Sequence, residues 1–297
     1  MKKAIVDGMS EKFKDNWLFI TGDLGFNALE ELEQKIGDKF INGGIAEQNM
    51  ITVAAALAHE GFVPWVYSIS PFITLRPYEQ IRNDVCLHKL PVKIIGMGAG
   101  FGYGIMGATH HNIEDIAVMR VLPNMITYIP FADSDVSDVV EIMGNDKNPN
   151  YLRLNVGANI KYDLPKFAQW RKIKEGSKGV VVGTGPVVGN LLNQAICDDL
   201  EVWIIGILPI HELPTELIES VNKTQKLITM EEHSGQCSLR ESLSFLIMNH
   251  LKGAIKIESL FASGYVSGTY GNQLFHQTEN NLAGEGLSRK VEKFLMA

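Results

Sequence analysis

Three places in this 297-residue chain carry side chains suited to chemistry. The first is Glu47, just after Gly43-Gly44 and inside Ile45 to Glu60, an Ala-rich stretch that predicts a helix stopped by Gly61. A carboxylate in that first turn stabilises the helix dipole, or, facing a ligand, shares a proton with it. The second is the Thr109-His110-His111 run. Imidazoles exchange protons near neutral pH. Adjacent positions do not converge readily on one ion and no third ligand stands nearby, so no metal site is expected. The third is Asp23, beyond Trp17 to Thr21, which reads as a buried strand. Ligands of parallel sheets gather at such strand ends, and an Asp there also caps turns.

Weaker signals surround these. Gly96 to Gly104 follows a strand but does not complete a GxGxxG fingerprint, and no phosphate loop is present. Gly183-Thr184-Gly185 reads first as a tight turn and second as an anion cradle. Phe72, Leu75 and Tyr78 fall at i, i+3 and i+6, roughly one face of a helix, where they would pack a core or floor a ligand site.

The elements that must hold these residues alternate. Trp17–Thr21, Pro64–Tyr67, Val92–Gly96 and Met125–Ile129 read as strands, with helical patterns at 45–60, 78–88 and 133–143 between them. Residues 151–175 loosen into a connector. The alternation then restarts with strands at 180–182, 201–207, 226–230 and 255–260 and a closing amphipathic helix at 287–296. The expected fold is α/β, two consecutive three-layer αβα units with mostly parallel sheets, at 1–160 and 170–297 with a boundary near residue 165.

Composition sets outer limits. Hydrophobic residues at 45% and charged residues at 21% suit a globular core. The net charge of -7 argues against nonspecific nucleic-acid binding. Cys86, Cys197 and Cys237 are too few and too far apart for a disulfide framework or a CxxC zinc site, so a reducing, cytoplasmic setting is expected. Asp7 interrupts any leader-like apolar core, and no apolar run approaches the roughly 20 residues of a membrane span.

Two segments are more specific. Phe40-Ile41-Asn42-Gly43-Gly44-Ile45-Ala46-Glu47-Gln48-Asn49-Met50 and Gly104 to Asp115, the latter continuing to Arg120-Val121-Leu122-Pro123-Asn124-Met125, resemble signatures of the transketolase family. They are similar to the form split into two polypeptides. Thr21-Gly22-Asp23-Leu24-Gly25 and Phe72 to Gln80 match in the expected order. The resemblance is strong before residue 155 and weaker after it. It implies a pyrimidine-binding domain followed by a carboxy-terminal domain, with thiamine diphosphate held between two chains.

Several residue roles follow from that resemblance alone. Glu47 would bond the pyrimidine N1′ and favour the imino tautomer that the coenzyme's chemistry needs. Phe72, Leu75 and Tyr78 would line the pyrimidine ring, and Asp23 would touch the cofactor at the subunit interface. His110 would face the substrate, with His111 structural. Glu114, Asp115 and Arg120 would form a helix-start and packing network. His233, in a segment that departs from the family's glycine pair, has no assigned role.

The chain also departs from the family. The Gly-Asp-Gly…Asn motif that holds the diphosphate and Mg²⁺ is missing; Gly22-Asp23 and Gly37-Asp38 do not continue with Gly. An amino-terminal partner subunit is expected to supply it, in an α2β2 assembly. Asn155-Val156-Gly157 stand where sugar-phosphate transketolases carry an Arg, and Met106 replaces an acid that reads a sugar hydroxyl. A non-standard sugar substrate is therefore expected: unphosphorylated, deoxygenated or nucleotide-linked. The other readings are the β subunit of a 2-oxoacid dehydrogenase, a deoxyxylulose-phosphate-synthase-like enzyme, and a non-catalytic scaffold. A lone NAD-binding protein is disfavoured by the broken fingerprint.

Overall fold

The computed structural model describes residues 1–24, 28–160, 163–250, 252–265 and 268–297. Gly25 of the first motif, and Lys161 and Tyr162 of the connector, lie outside the described residues.

Strand-sized apolar runs become two mostly parallel sheets. The first contains β1 (Trp17–Thr21), β2 (Phe40–Asn42), β3 (Val63–Ile69), β4 (Lys93–Met97), β5 (Ile126–Tyr128) and β6 (Asn150–Leu154). The second contains β7 (Trp170–Lys174), β8 (Gly179–Thr184), β9 (Leu200–Ile205), β11 (Lys226–Ser234) and β12 (Lys256–Ala262). Between β9 and β11 the chain forms β10 (Ile207–Leu208), which joins the first sheet. The orders are β10-β5-β6-β4-β3-β1-β2 and β12-β11-β8-β9-β7. Among the strands of the described residues only β10 and β7 pair antiparallel, with β5 and β9 respectively.

The period-two alternation of strands fills both faces of each sheet. In the first, Trp17, Phe19, Trp65, Tyr67, Ile95 and Leu152 pack under helices Lys2–Lys12 and Asp135–Asn145. Ile20, Val66, Ile94 and Tyr151 face the opposite way, toward helices Glu47–His59 and Asp115–Arg120. In the second, Val181, Val202 and Ile228 meet helices Val188–Leu192 and Gly284–Met296. Val180, Val182 and Trp203 meet Thr215–Thr224 and Leu239–Met248.

Several elements differ from the sequence pattern; Tyr151 to Leu154, expected as the start of the connector, belongs to strand β6. Trp170 to Lys174, expected as connector, is an edge strand. It is anchored by Arg171, which forks onto Asp135 with both bonds at 2.7 Å. The expected strand 201–207 breaks at Gly206, where a Cβ would stand 2.7 Å from the Ala168 carbonyl oxygen; the chain then crosses to the other sheet. The expected helix 78–88 is a single α-turn, Tyr78–Gln80, running into a π-helical segment, Ile81–Cys86.

The Arg171–Asp135 pair is buried on both sides, with side-chain exposures of 1% and 4%. Removing one member leaves the other charge in the interior without a partner. Arg171→Ala should therefore lose about 3–5 kcal/mol of unfolding free energy in urea titrations. A loss under about 1 kcal/mol would show that water reaches Asp135.

Candidate active site

The residues singled out for chemistry follow the carboxyl ends of the parallel strands of the first sheet, where loops from neighbouring strands converge. Asp23, exposed, sits past β1 in a cleft shared with Leu24, Glu33, Phe40 and Asn42. Past β2 the chain turns through Gly43-Gly44. Gly44 has φ +72°, and its N–H donates to the Asn42 Oδ1 at 2.9 Å. A Cβ on Gly43 would stand 2.7 Å from the Met50 side chain. That turn delivers Glu47 into the first position of the helix Glu47–His59, with its carboxylate buried at 7% exposure.

Glu47 is paired. One guanidinium nitrogen of Arg76, Nη1, donates to both of its oxygens, at 3.2 and 3.1 Å. The same guanidinium lies 3.9 Å over the centre of the Phe72 ring. Phe72 in turn meets the His110 ring edge-on at 5.1 Å. His110 Nδ1 is 3.0 Å from Thr109 Oγ1, and the Tyr103 ring stands 6.4 Å away. Glu47, Arg76, Phe72 and His110 therefore form one contiguous line.

The other expected residues are placed differently. Leu75 ends the helix Ser70–Leu75 and is 44% exposed. Pro77 then interrupts the helical spacing, and Tyr78 does not join Phe72. Its ring packs into the core under helix Asp115–Arg120, and its hydroxyl donates to the Val118 carbonyl at 3.0 Å. Met106 is half exposed in the turn Gly104–Met106. Asn155 is buried and turned inward. Its amide donates to the Ala99 carbonyl at 2.7 Å, bracing the glycine-rich loop. Among the described residues no group of three His, Cys, Asp or Glu is arranged to hold a metal.

The second sheet holds this loop in place. Asp115, fully buried, accepts from Tyr151 Oη at 2.7 Å and from Arg153 Nε at 2.8 Å. Arg153 Nη2 continues to the Glu232 carbonyl at 2.9 Å. The Glu232 carboxylate accepts the Phe101 backbone N–H at 2.6 Å and the amides of Gln273 and Gln277. Gly100 is required beside it, since a Cβ there would stand 2.5 Å from the carboxylate. His111 and His276 both donate to the Gly104 carbonyl, at 3.1 and 3.2 Å. Glu114 accepts from Tyr265, and Arg120 reaches Ser242 across the same seam. The network expected of Glu114, Asp115 and Arg120 thus links the two halves of the chain.

Burial dominates the electrostatics here. It raises the Glu232 carboxyl, and the Phe101 N–H and Gln277 amide pull it back. Burial lowers His233, whose Nδ1 meets the Ser234 carbonyl while Nε2 accepts the Ala117 N–H at 3.2 Å, the pattern of a neutral ring. Burial pushes Glu231 up to about 8, against one donor, the Leu239 N–H at 2.7 Å.

The sequence pattern did not single out Arg76, Glu232 or His276. Arg76 had a local signal: it stands four residues after Phe72, the spacing that stacks a guanidinium on a ring. Glu232 had none, because its partners lie about 130 residues before it and 40 after it in sequence.

Two measurements check this arrangement. Glu232→Ala should raise hydrogen exchange of the Phe101 amide about tenfold or more, since the buried N–H loses its acceptor. Unchanged exchange would mean that the loop holds itself. Glu231 keeps its proton in the fold up to about pH 8, whereas the unfolded chain loses it near the ordinary carboxylate range. This term lowers stability as pH climbs between those values. Glu231→Gln should therefore raise Tm by about 3 °C or more at pH 8 and by much less at pH 5. An equal gain at both pH values would rule out titration as the cause.

Comparison with known proteins places the geometry in a family. Residues 12–159 match the model described as transketolase, pyrimidine binding domain. A putative transketolase C-terminal section from Methanocaldococcus jannaschii is 30% identical over 249 residues, 79% of this chain and 77% of that protein. A 1-deoxy-D-xylulose-5-phosphate synthase from Clostridium perfringens is 32% identical over 215 residues, 69% of this chain. The matched region is only 34% of that synthase's length, so the chain spans about a third of it. A solved structure described as split gene transketolase, inactive beta4 tetramer, superposes with a TM-score of 0.80 at 26% identity. The superposition covers 99% of this chain and 96% of that one. With the Gly43-Gly44 turn, the buried Glu47 and the loop that carries His110 all in place, the chain belongs to the transketolase family.

Proposed function

We propose that this chain is the carboxy-terminal subunit of a split, thiamine-diphosphate-dependent transketolase. It moves a two-carbon ketol unit from a ketose to an aldose, and works only with an amino-terminal partner. The observation that carries this reading is the Glu47 carboxylate, buried at the strand ends and joined through Arg76 to the face of Phe72. A buried carboxylate next to an aromatic face fits an aminopyrimidine, which presents a flat ring and a ring nitrogen able to share a proton.

Thiamine diphosphate, when bound, supplies a nucleophilic carbon for the ketol transfer. The chain's residues prepare the rest. Glu47 holds the proton shared with N1′ and so selects the tautomer. Phe72 gives the ring a floor, with Leu75 at its rim; Tyr78, packed under helix Asp115–Arg120, stands away from that floor. Asp23 stands where it can meet the cofactor at the interface. His110, edge-on to Phe72, is positioned to hydrogen-bond substrate oxygens and to carry a proton near neutral pH. Residues 1–160 serve as the pyrimidine-binding domain and residues 170–297 as the carboxy-terminal domain.

The partner is argued from surface and from sequence. Ile45, Ile105, Val156 and Met106 are 79%, 71%, 64% and 51% exposed in loops at the same strand ends, which suits a covering subunit. The partner would carry the Gly-Asp-Gly…Asn motif, bind Mg²⁺ and the diphosphate, and complete an α2β2 heterotetramer. Met106 and the inward-turned Asn155 leave a half-exposed thioether and no cation at two polar positions of the family pattern. This favours a substrate other than the usual sugar phosphates. Among the described residues no helix is long and apolar enough to cross a membrane, and a cytoplasmic setting completes the reading.

The likeness to proteins named 1-deoxy-D-xylulose-5-phosphate synthase keeps a second reading, a synthase of that kind. Calorimetric titration of thiamine diphosphate with Mg²⁺ separates the cases. The chain alone should show no tight binding; with the motif-bearing partner it should bind tightly and turn over a ketose. Glu47→Gln in that complex should cut turnover about 100-fold or more. Tight binding by the chain alone would overturn the shared site, and formation of 1-deoxy-D-xylulose 5-phosphate in place of ketol transfer would establish the second reading.

A further inference from the structure

Arg76 has no part in the chemistry described so far. Among the described residues its hydrogen bonds go only to Glu47. Its side chain is 47% exposed, whereas the Glu47 side chain is 7% exposed. The guanidinium is sandwiched into the corner between that carboxylate and the Phe72 ring, 3.9 Å above the ring centre.

We propose that the Arg76 guanidinium fills the place of the aminopyrimidine ring in the cofactor-free chain, and that cofactor binding displaces it. This rests on the reading of Glu47 as the ring's partner. A guanidinium is flat, has a π face and carries amidine N–H donors. An aminopyrimidine offers the same two features: a flat face for an aromatic neighbour, and a protonated ring nitrogen for a carboxylate. Both cannot lie on the same face of Phe72 against the same two oxygens.

The burial of the two partners makes the exchange workable. Glu47, nearly closed off from water, is costly to leave unpaired. Arg76, half in water on a flexible stem, is cheap to release. The arginine is thus a removable counter-charge that keeps the pocket satisfied until a better donor arrives. It also sets a selectivity. A flat ring without an N–H donor toward Glu47 cannot replace what Arg76 provides, so it is excluded.

The test uses this chain alone, with 4-amino-5-hydroxymethyl-2-methylpyrimidine as the probe and ligand-observed NMR as the readout. Arg76→Ala should bind the probe about tenfold more tightly than the natural chain, the worth of a half-exposed ion pair with a cation–π contact. Arg76→Ala combined with Glu47→Gln should lose that gain. The Arg76 Nε–H signal of the ligand-free natural chain should move toward the value of free arginine in Glu47→Gln, and also on adding the probe. Equal or weaker binding by Arg76→Ala would make Arg76 a retained contact and overturn the proposal. A signal that is the same in the natural chain and in Glu47→Gln would show that the pair does not form, and would also overturn it. Probe binding that ignores Glu47→Gln, or no binding by any variant, would instead remove the Glu47 reading on which the proposal stands.

Discussion

The buried ionic link between Asp115 and Arg153 is the constraint on which the rest of the molecule depends. The two groups are 2% exposed or less, so neither can be left alone in the interior. Arg153 stands near the carboxyl end of β6 in the first sheet and also reaches the Glu232 carbonyl on β11 in the second. Asp115 opens the helix that follows the histidine loop and takes the Tyr151 hydroxyl as well. Tyr151 Oη and Ser70 Oγ are 3.0 Å apart, and Ser70 accepts from Asn112, at the root of the helix that carries Phe72. A single polar seam thereby fixes strand ends, glycine-rich loop and aromatic floor relative to each other. Such a seam contributes uniqueness more than net stability, because desolvation offsets most of what its bonds return.

Most of the scaffold was legible in the chain because its strands are buried on both faces. Trp17 to Thr21 could be read to the residue, since an apolar run of that length between turn signals has few other fates. Glu47 was legible because a glycine pair before a helix start is a local pattern. The misread elements were decided at a distance. Trp170 to Lys174 is a strand because β9 offers an edge and Asp135 offers a counter-charge to Arg171. Gly206 ends β9 because Phe167 and Ala168 crowd it. Tyr78 leaves the Phe72 face because Pro77 resets the spacing. The Glu232 clamp on Phe101 could not be read at all, since nothing local marks a strand-end carboxylate as the partner of a loop amide far upstream.

The site itself joins two regimes. Its back wall is a set of buried, mutually satisfied polar groups: Asn112 donating to Ser70 and Thr74, and the Gly104 carbonyl shared by His111 and His276. Its front is a loose rim of exposed Ile105 and Met106, with His110 and Phe72 between rim and wall. Rigid support behind and an uncovered face in front is the arrangement that the proposed shared site needs, since its dielectric shielding would then come from the surface that closes over it.

The short strand β10 ties the two halves of the chain to one another. It leaves the second half of the polypeptide after β9 and extends the edge of the first sheet, with Ile207 opposite Tyr128 and the Ile129 N–H bonded to the Gly206 carbonyl. The two halves therefore are not interchangeable parts. A gene fusion that grafted a different carboxy-terminal half onto residues 1–160 would need to import a matching strand, or leave the backbone of β5 as a bare edge open to pairing with other chains.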